Sequence, residues 1–399
     1  MGALIFPIPP IGPIGPIGPI HSVATYSMNV LLTCVGRRCY SVDVFKQAVG
    51  NHGRVFATDC NGAAPALQNA DQAFIVPSID HEEYVDTLLY LCNEYQIRLL
   101  IPALEPELSL LAIHRERFLA VGTILLVPSP QIVSRCYDKL ATSKFLQACG
   151  LEVPRTFDSL DAARSALAQG EIAFPLVVKP RWGVSSIGIL FPTDDEDLEF
   201  AYRFSKKQVR SSFLAGVSAT DAAHDVLIQE QLYGNEYGMD VVNDLNGRYV
   251  CTFIRRKISM RAGNTDRAVT ERNDRLEKIG CLIGENLGHI GLADCDLFVT
   301  ETGCYVIDIN PRIGGGYPFV HAAGANYPAA LVAWASGQQP DPAWFQVEPN
   351  VAASRYETLI VTNGKRDVAR LVSSAGYRNF AVGRQASSAA TNGAAAFPK

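Results

Sequence analysis

The second half of the chain contains clusters whose residue types and spacing suit a nucleotide and metal site. Asp308 and Asn310 are two apart in the run Val306-Ile307-Asp308-Ile309-Asn310-Pro311-Arg312. On a strand their side chains leave the same face. Asp296, in Asp296-Leu297-Phe298-Val299, precedes a turn at Thr302-Gly303 that can bring it alongside. Three hard oxygen ligands on one face suit Mg²⁺, with Mn²⁺ as the alternative ion, bound jointly to protein and nucleotide phosphates. Isolated carboxylates among such apolar neighbours are costly without a cation; the bland alternative is a solvated sheet face. Lys179 closes the run Pro175-Leu176-Val177-Val178 and is followed by Pro180, Gly183, Ser185, Ser186 and Gly188. Backbone N–H groups of a Gly/Ser loop cradle phosphate oxygens, and a lysine at the strand end supplies the countercharge. No Gly-Lys-Ser/Thr opens a helix here, so this is not a Walker A loop, and read alone the segment also fits a surface hairpin with a solvated lysine. In Ile228-Gln229-Glu230-Gln231-Leu232-Tyr233-Gly234-Asn235-Glu236 a strand ends in a turn. There Glu236 can accept hydrogen bonds from ribose hydroxyls and the backbone of Glu230, Gln231 and Leu232 can read an adenine edge, or the acids are simply charged turn positions.

The elements that must position these groups fall into two kinds. From Met28, apolar runs at Asn29–Thr33, Arg54–Thr58, Ala73–Val76, Leu99–Ile101 and Thr123–Val127 alternate with amphipathic stretches. This predicts a parallel, doubly wound sheet. Its first strand runs into Cys34-Val35-Gly36-Arg37-Arg38 and its second ends at Asp59, at the carboxyl ends where open α/β sheets bind ligands. Only one glycine of the G-x-G-x-x-G turn is present, which argues against a dinucleotide. After Pro128 helices are expected at Gln131–Cys149, Asp158–Gln169 and Thr270–Leu287. Strands are expected at Pro175–Lys179, Ile187–Phe191, Val226–Gln231, Tyr237–Val242, Tyr249–Ile254, Ala293–Val299 and Cys304–Ile309. The first two strands form a lid-like hairpin, and Asn246-Gly247 marks another. The basic stretch Arg255–Arg267 has no apolar period and reads as a flexible cationic loop.

The chain has 399 residues and a net charge of −5, enough for two or three domains and without the basic excess that a nucleic-acid partner demands. Ten cysteines lie without a C-x-x-C pair or zinc spacing, which suggests reduced thiols in the cytoplasm. Residues 1–27 carry prolines at every third position across Pro13, Pro16 and Pro19 and no charged n-region. They read as a disordered leader, neither signal peptide nor membrane span. Residues 386–399, rich in Ala and Ser, read as a disordered tail.

Taken in order, Lys139 in Tyr137-Asp138-Lys139, the Lys179 loop, Glu230 with Glu236, and Asp296, Asp308, Asn310 and Arg312 resemble the ATP-grasp superfamily throughout Met28–Trp334. The chain is most similar to its carbamoyl-phosphate-synthase-like members and its amino-acid or peptide ligases. The resemblance implies an α/β fold: a Rossmann-like pre-ATP-grasp parallel-sheet domain at 28–129, then a two-lobed α+β ATP-grasp domain at 130–345 with its lid hairpin at about 175–230. A C-terminal extension at 346–385 would follow. Lys139 and Lys179 would hold the ATP phosphates, Glu230 to Leu232 the adenine, and Glu236 the ribose. Asp296, Asp308 and Asn310 would ligate two Mg²⁺ ions, with Arg312 near the reacting phosphoryl group. Lys257 or Arg261 would touch phosphate or acyl phosphate. The implied activity is a Mg-ATP-dependent carboxylate–amine ligase acting through an acyl phosphate on small-molecule carboxylate and amine substrates, with an amino-acid or dipeptide ligase as the finer reading and a homodimer as its expected assembly. An ATP-dependent small-molecule kinase or a non-catalytic ATP-binding regulator would use the same nucleotide machinery. Two departures stand out: Asp308 where many relatives carry glutamate, and Ile313-Gly314-Gly315-Gly316-Tyr317 where the synthases carry a Ser-rich turn. That turn is expected to border the substrate.

Overall fold

The computed structural model describes residues 28–183, 188–212, 214–261, 263–362 and 369–370. The leader at 1–27, the tail at 386–399 and the loop residues Ser185 and Ser186 lie outside them.

The first sheet holds β1 (Asn29–Thr33), β2 (Val55–Asp59), β3 (Gln72–Ile75), β4 (Ile97–Pro102) and β5 (Ile124–Leu125), all parallel in the order β3-β2-β1-β4-β5. Every residue of β2 is buried, as expected of a parallel strand covered on both faces. Helices α1 (Cys39–Val49), α2 (Tyr84–Glu94), α3 (Glu105–Ala112) and α4 (Arg115–Ala120) supply the cover. The strand order reverses between β1 and β4, which opens a ligand crevice at their carboxyl ends. Asp59 is not free for a cofactor ribose there: its carboxylate accepts the Gly36 and Asn61 backbone N–H groups, each at 2.8 Å.

The helix expected over Gln131–Cys149 is two helices, α5 (Pro130–Tyr137) and α6 (Lys139–Ala148), broken at Asp138. The break has a local cause. Asp138 caps α6, accepting from the Leu140 and Ala141 N–H groups at 3.0 and 3.2 Å, and also pairs with Arg181 at 2.6 Å. Asp138→Ala is therefore expected to destabilise the fold by about 2 kcal/mol, a lost cap plus an arginine left with only Asp221. Urea unfolding followed by circular dichroism measures it; an unchanged midpoint would remove Asp138 from this role.

A small antiparallel sheet, β6 (Thr156–Phe157), β8 (Val226–Glu230) and β7 (Leu176–Pro180), is covered by α7 (Leu160–Ala168) and α8 (Asp195–Arg210), with the short α9 (Ala215–Ser218) beyond. Of the strand expected over Ile187–Phe191, Ile187 lies outside the described residues, and the described part meets β7 through a bridge between Val178 and Leu190. The larger sheet runs β13-β12-β9-β10-β11-β14, antiparallel, from β9 (Asn235–Asn243), β10 (Tyr249–Arg261), β11 (Asn264–Thr270), β12 (Gly291–Val299), β13 (Cys304–Asn310) and β14 (Ala352–Ser354). One face packs on α10 (Asp274–Leu287), α5 and α6. Part of it shares a core with the first sheet through α11 (Tyr317–Ala322) and α12 (Tyr327–Ala335), where Val30, Leu32, Phe253, Tyr317 and Leu331 meet. Beyond β14 the chain returns to the first sheet as β15 (Ala369–Arg370), parallel to β3.

The cationic loop expected over Arg255–Arg267 is instead the end of β10 and the start of β11, paired as a hairpin. Its first three charges are met by carboxylates brought alongside from elsewhere in the chain, so they do not depend on water. Arg255 pairs with Asp240 and Asp294, Arg256 with Glu271, and Lys257 with Glu236 and Asp296.

Candidate active site

Strand periodicity places a set of charged residues of the larger sheet on one face, with Gly238 and Asn310 among them: Glu236 and Asp240 of β9, Arg255 and Lys257 of β10, Asp294 and Asp296 of β12, and Asp308 of β13. The register sets Asp296 opposite Asp308, and Asp294 opposite both Asn310 and Asp240. Lys139, at the start of α6, reaches this face from the side of the small sheet. Its Nζ lies 3.2 Å from each Asp308 carboxylate oxygen and donates to the Gly183 carbonyl at 3.1 Å. Lys179 is buried on β7, donating to Gln229 Oε1 at 2.9 Å, and Gln229 in turn donates to Thr156 Oγ1 at 2.7 Å. Burial, reinforced by Lys139 and opposed by Asp308, pulls the Lys179 ammonium down to about 8. Among the described residues no carboxylate lies within hydrogen-bond reach of it, so it stands ready for an anionic partner.

Lys257 bridges Glu236 at 2.7 Å and Asp296 at 2.6 Å. Burial works to lower it, but Asp296 and Glu236 prevail and hold it above the usual lysine value. Beside it runs a deeper ionic chain. Asp240 meets Arg255 at 2.6 Å, Arg255 meets Asp294 at 2.7 Å, Asp294 meets Arg312 at 3.3 Å, and Arg312 pairs with Glu105 at the start of α3. Burial raises Asp240 to about 7 against the opposing pull of Arg255. Asp294 is held low because Arg255 and Arg312 outweigh the effect of its burial.

Among the described residues no three His, Cys, Asp or Glu side chains form a complete metal site. Asp296 and Asp308 stand opposite one another, and each carboxylate retains lone pairs beyond its lysine contact. Two carboxylates and the Asn310 amide thus fit a hard divalent ion that completes its shell with phosphate oxygens and water, as Mg²⁺ does.

Among known families, a model of the ATP-grasp domain matches residues 136–316. The chain carries an ATP-grasp domain. A model described as the PylC-like N-terminal domain matches residues 30–126. Biotin carboxylase of Halalkalibacterium halodurans is 23% identical over 279 residues, 63% of this chain and 57% of that protein. D-alanine–D-alanine ligase of Sulfurimonas denitrificans is 25% identical over 185 residues, 45% of this chain and 51% of that protein. The chain thus spans little more than half of these relatives. The biotin carboxylase domain of Hydrogenobacter thermophilus 2-oxoglutarate carboxylase, a dimer solved with MgADP and bicarbonate, superposes with a TM-score of 0.64 at 15% identity, covering 81% of this chain and 73% of that one.

Within the ATP-grasp domain the structure gathers Lys139, Gly183, Lys257, Glu236, Asp296 and Asp308 through direct contacts, with Asn310 two residues along β13. Lys179 lies on the adjoining small sheet. Glu230, Gln231 and Leu232 lie at the end of β8, where the Glu230 carboxylate is occupied by the Arg155 N–H at 2.7 Å. Two expectations shift. Lys257 faces the carboxylates of Glu236 and Asp296, where phosphate contact was expected, and Arg261 stands apart. Arg261 is 55% exposed near the end of the β10–β11 hairpin, paired with Asp266 and Glu357. Arg312 has its guanidinium engaged by Asp294, Glu105 and the Ile313 carbonyl. Sequence reading missed Asp240, Arg255 and Asp294; the last sits two before Asp296 on the same strand face, and that spacing was the available signal. His289 is fully buried against the Val241 carbonyl and pulled down to about 4 by burial. It is a neutral core residue. No helix among the described residues is long and apolar enough to cross a membrane.

Proposed function

We propose that the protein is a Mg-ATP-dependent carboxylate–amine ligase working through an acyl phosphate. The observation that carries this reading is Lys139, whose ammonium joins the base of the Gly183 loop to the Asp308 carboxylate. One group thereby links the phosphate-holding loop to the metal-holding strand, where a γ-phosphate must lie between them. Lys139 and Lys179, with the Gly183, Ser185 and Ser186 loop, hold the ATP phosphates; Glu230, Gln231 and Leu232 hold adenine and Glu236 ribose. Asp296, Asp308 and Asn310 would hold Mg²⁺, which would supply charge neutralisation to the nucleotide phosphates. The substrate carboxylate oxygen attacks the γ-phosphorus, the bond to the β–γ bridging oxygen breaks, and ADP leaves. The amine nitrogen then attacks the acyl carbon, phosphate departs with the carbon–oxygen electron pair, and the amine gives up a proton to solvent. Arg312 would face the reacting phosphoryl group, with Lys257 holding Glu236 and Asp296 in place. Catalysis on this scheme is positioning and electrostatics. The ten unpaired cysteines suit a reducing cytoplasm.

An amino acid is the proposed carboxylate donor. Arg38 at the end of the β1 loop lies in the electrostatic reach of Arg312 and Glu105, so charges of both signs face the crevice, as a zwitterion requires. Incubation with MgATP, hydroxylamine and an equimolar amino-acid mixture should give acyl hydroxamate and ADP in equal amounts. A stable phosphorylated product without hydroxamate would instead mark a kinase, and MgATP binding without turnover a regulator.

A further inference from the structure

Arg255 is among the largest fully buried side chains in the protein, and it touches no surface through which a ligand could reach it. Its two ion pairs join Asp240 to Asp294. Asp294 spends its other carboxylate oxygen on Arg312, and Arg312 spends its other terminal nitrogen on Glu105 of the first-sheet domain. Charges therefore alternate along five side chains, from the middle of the larger sheet to the crevice beside β4. Burying such a chain is expensive unless its geometry matters, and simple apolar packing would fill the space more stably.

The backbone is shaped around it. A Cβ on Gly316 would collide with the Arg255 guanidinium, one on Gly314 with the Asp294 carboxylate, and one on Gly238 would lie 2.8 Å from the Arg255 guanidinium. Gly316 has φ −81 and ψ −13, a conformation any residue adopts. Its lack of a side chain is thus a demand of space and owes nothing to backbone strain. This accounts for the glycine-rich turn that the sequence alone placed beside the substrate: Gly314 and Gly316 face inward onto buried charges. Arg312 Nε is buried and unpaired among the described residues, so the chain fixes the two terminal nitrogens of this guanidinium while leaving a donor unspent.

Resting on the proposed role of Arg312, we propose that Asp240, Arg255 and Asp294, seated on Gly238, Gly314 and Gly316, are positioning residues that hold Arg312 against Glu105. Arg312 then takes its working pose only while the first-sheet domain is docked. A merely structural ion cluster would affect stability alone. A positioning chain acts through Arg312, and its effects disappear once Arg312 is altered.

Gly316→Ala tests this without removing any charge. In the hydroxamate assay with MgATP and the amino-acid mixture, it is expected to lower kcat/KM about 10²-fold, the scale of a reacting group misplaced by about 1 Å, while MgADP affinity by calorimetry stays within about twofold. Arg312→Lys is expected to lose a similar factor. The double variant should lose no more than Arg312→Lys alone. Multiplication of the two losses, or unchanged kcat/KM in a folded Gly316→Ala protein, overturns the proposal. Hydrogen exchange gives a reading independent of turnover: Gly316→Ala should speed exchange of the α3 amides that follow Glu105. Unchanged α3 protection rejects the positioning chain even if no hydroxamate forms with the wild-type protein, whereas absent hydroxamate with altered α3 protection rejects the ligase reading alone. Arg255→Lys, which keeps the charge but loses one of the two contacts, should fall in the same direction; if it does not fold, Gly316→Ala still decides.

Discussion

Asp308→Asn is expected to reduce turnover by about 10³-fold while leaving the fold in place, the upper scale for loss of one preorganised electrostatic contact at a reacting centre. The substitution is nearly isosteric, and the side chain is 20% exposed, so its burial does not force a large loss of stability. What changes is charge. Both carboxylate oxygens lie 3.2 Å from Lys139 Nζ, and Asp296 stands opposite across the strand pair. An amide there removes half the anionic charge available to a divalent ion and leaves Lys139 with one neutral amide oxygen and the Gly183 carbonyl as its acceptors. Asp308→Glu keeps the charge and adds a methylene. If charge governs, Glu should retain far more activity than Asn; if reach governs, the two should fall together. ADP release in single turnover, beside circular dichroism of each variant, separates these outcomes. Wild-type turnover in a folded Asp308→Asn protein would sink the metal assignment.

Much of the architecture was legible because it is written in local periodicity. The centres of the first two strands, Val30-Leu31-Leu32 and Val55-Phe56-Ala57, are continuously apolar, as a parallel strand buried on both faces must be, and the pair Asn246-Gly247 announced the β9–β10 turn. Period two also placed Asp308 and Asn310 on one face. The break at Asp138 had a local signature, an aspartate directly before a helix-forming run, and was passed over because the apolar pattern continues across it. The β10–β11 hairpin was different in kind. Its run of arginine and lysine reads as solvent-facing unless the partners are known, and those partners, Asp240, Asp294, Glu236, Asp296 and Glu271, come from elsewhere in the chain. No window of sequence around Arg255 contains that information. The glycines at 314 and 316 were visible as a motif but not as a cause, since what they accommodate are the side chains of Asp294 and Arg255, which lie elsewhere in the sequence and are brought there by sheet register.

Lys179→Met should make the protein more stable and less able to hold nucleotide. The buried ammonium has its value pulled down to about 8 from 10.5, so folding at neutral pH keeps a charge that burial disfavours. The shift corresponds to a penalty of about 3 kcal/mol, reduced to a net gain of about 2 kcal/mol for the methionine variant because Gln229 Oε1 loses its donor. The sign follows from linkage. With the folded value depressed, the penalty is fully present below pH 8 and fades as pH rises from 8 to 10.5, where the unfolded chain also loses its proton. The variant's advantage in urea should therefore be large at pH 7 and small at pH 10. Nucleotide reverses the account: phosphate oxygens supply the countercharge that Lys179 lacks among the described residues, so binding at pH 8 to 9 should draw in a proton. Calorimetry in buffers of different ionisation enthalpy reads that uptake. Lys179→Met should abolish it and weaken MgATP binding by about 10²-fold, within the reach of one desolvated charge-assisted contact. Equal destabilisation at both pH values, or undiminished MgATP affinity, would show that the lysine is a core residue satisfied by Gln229 and not the anion-holding group.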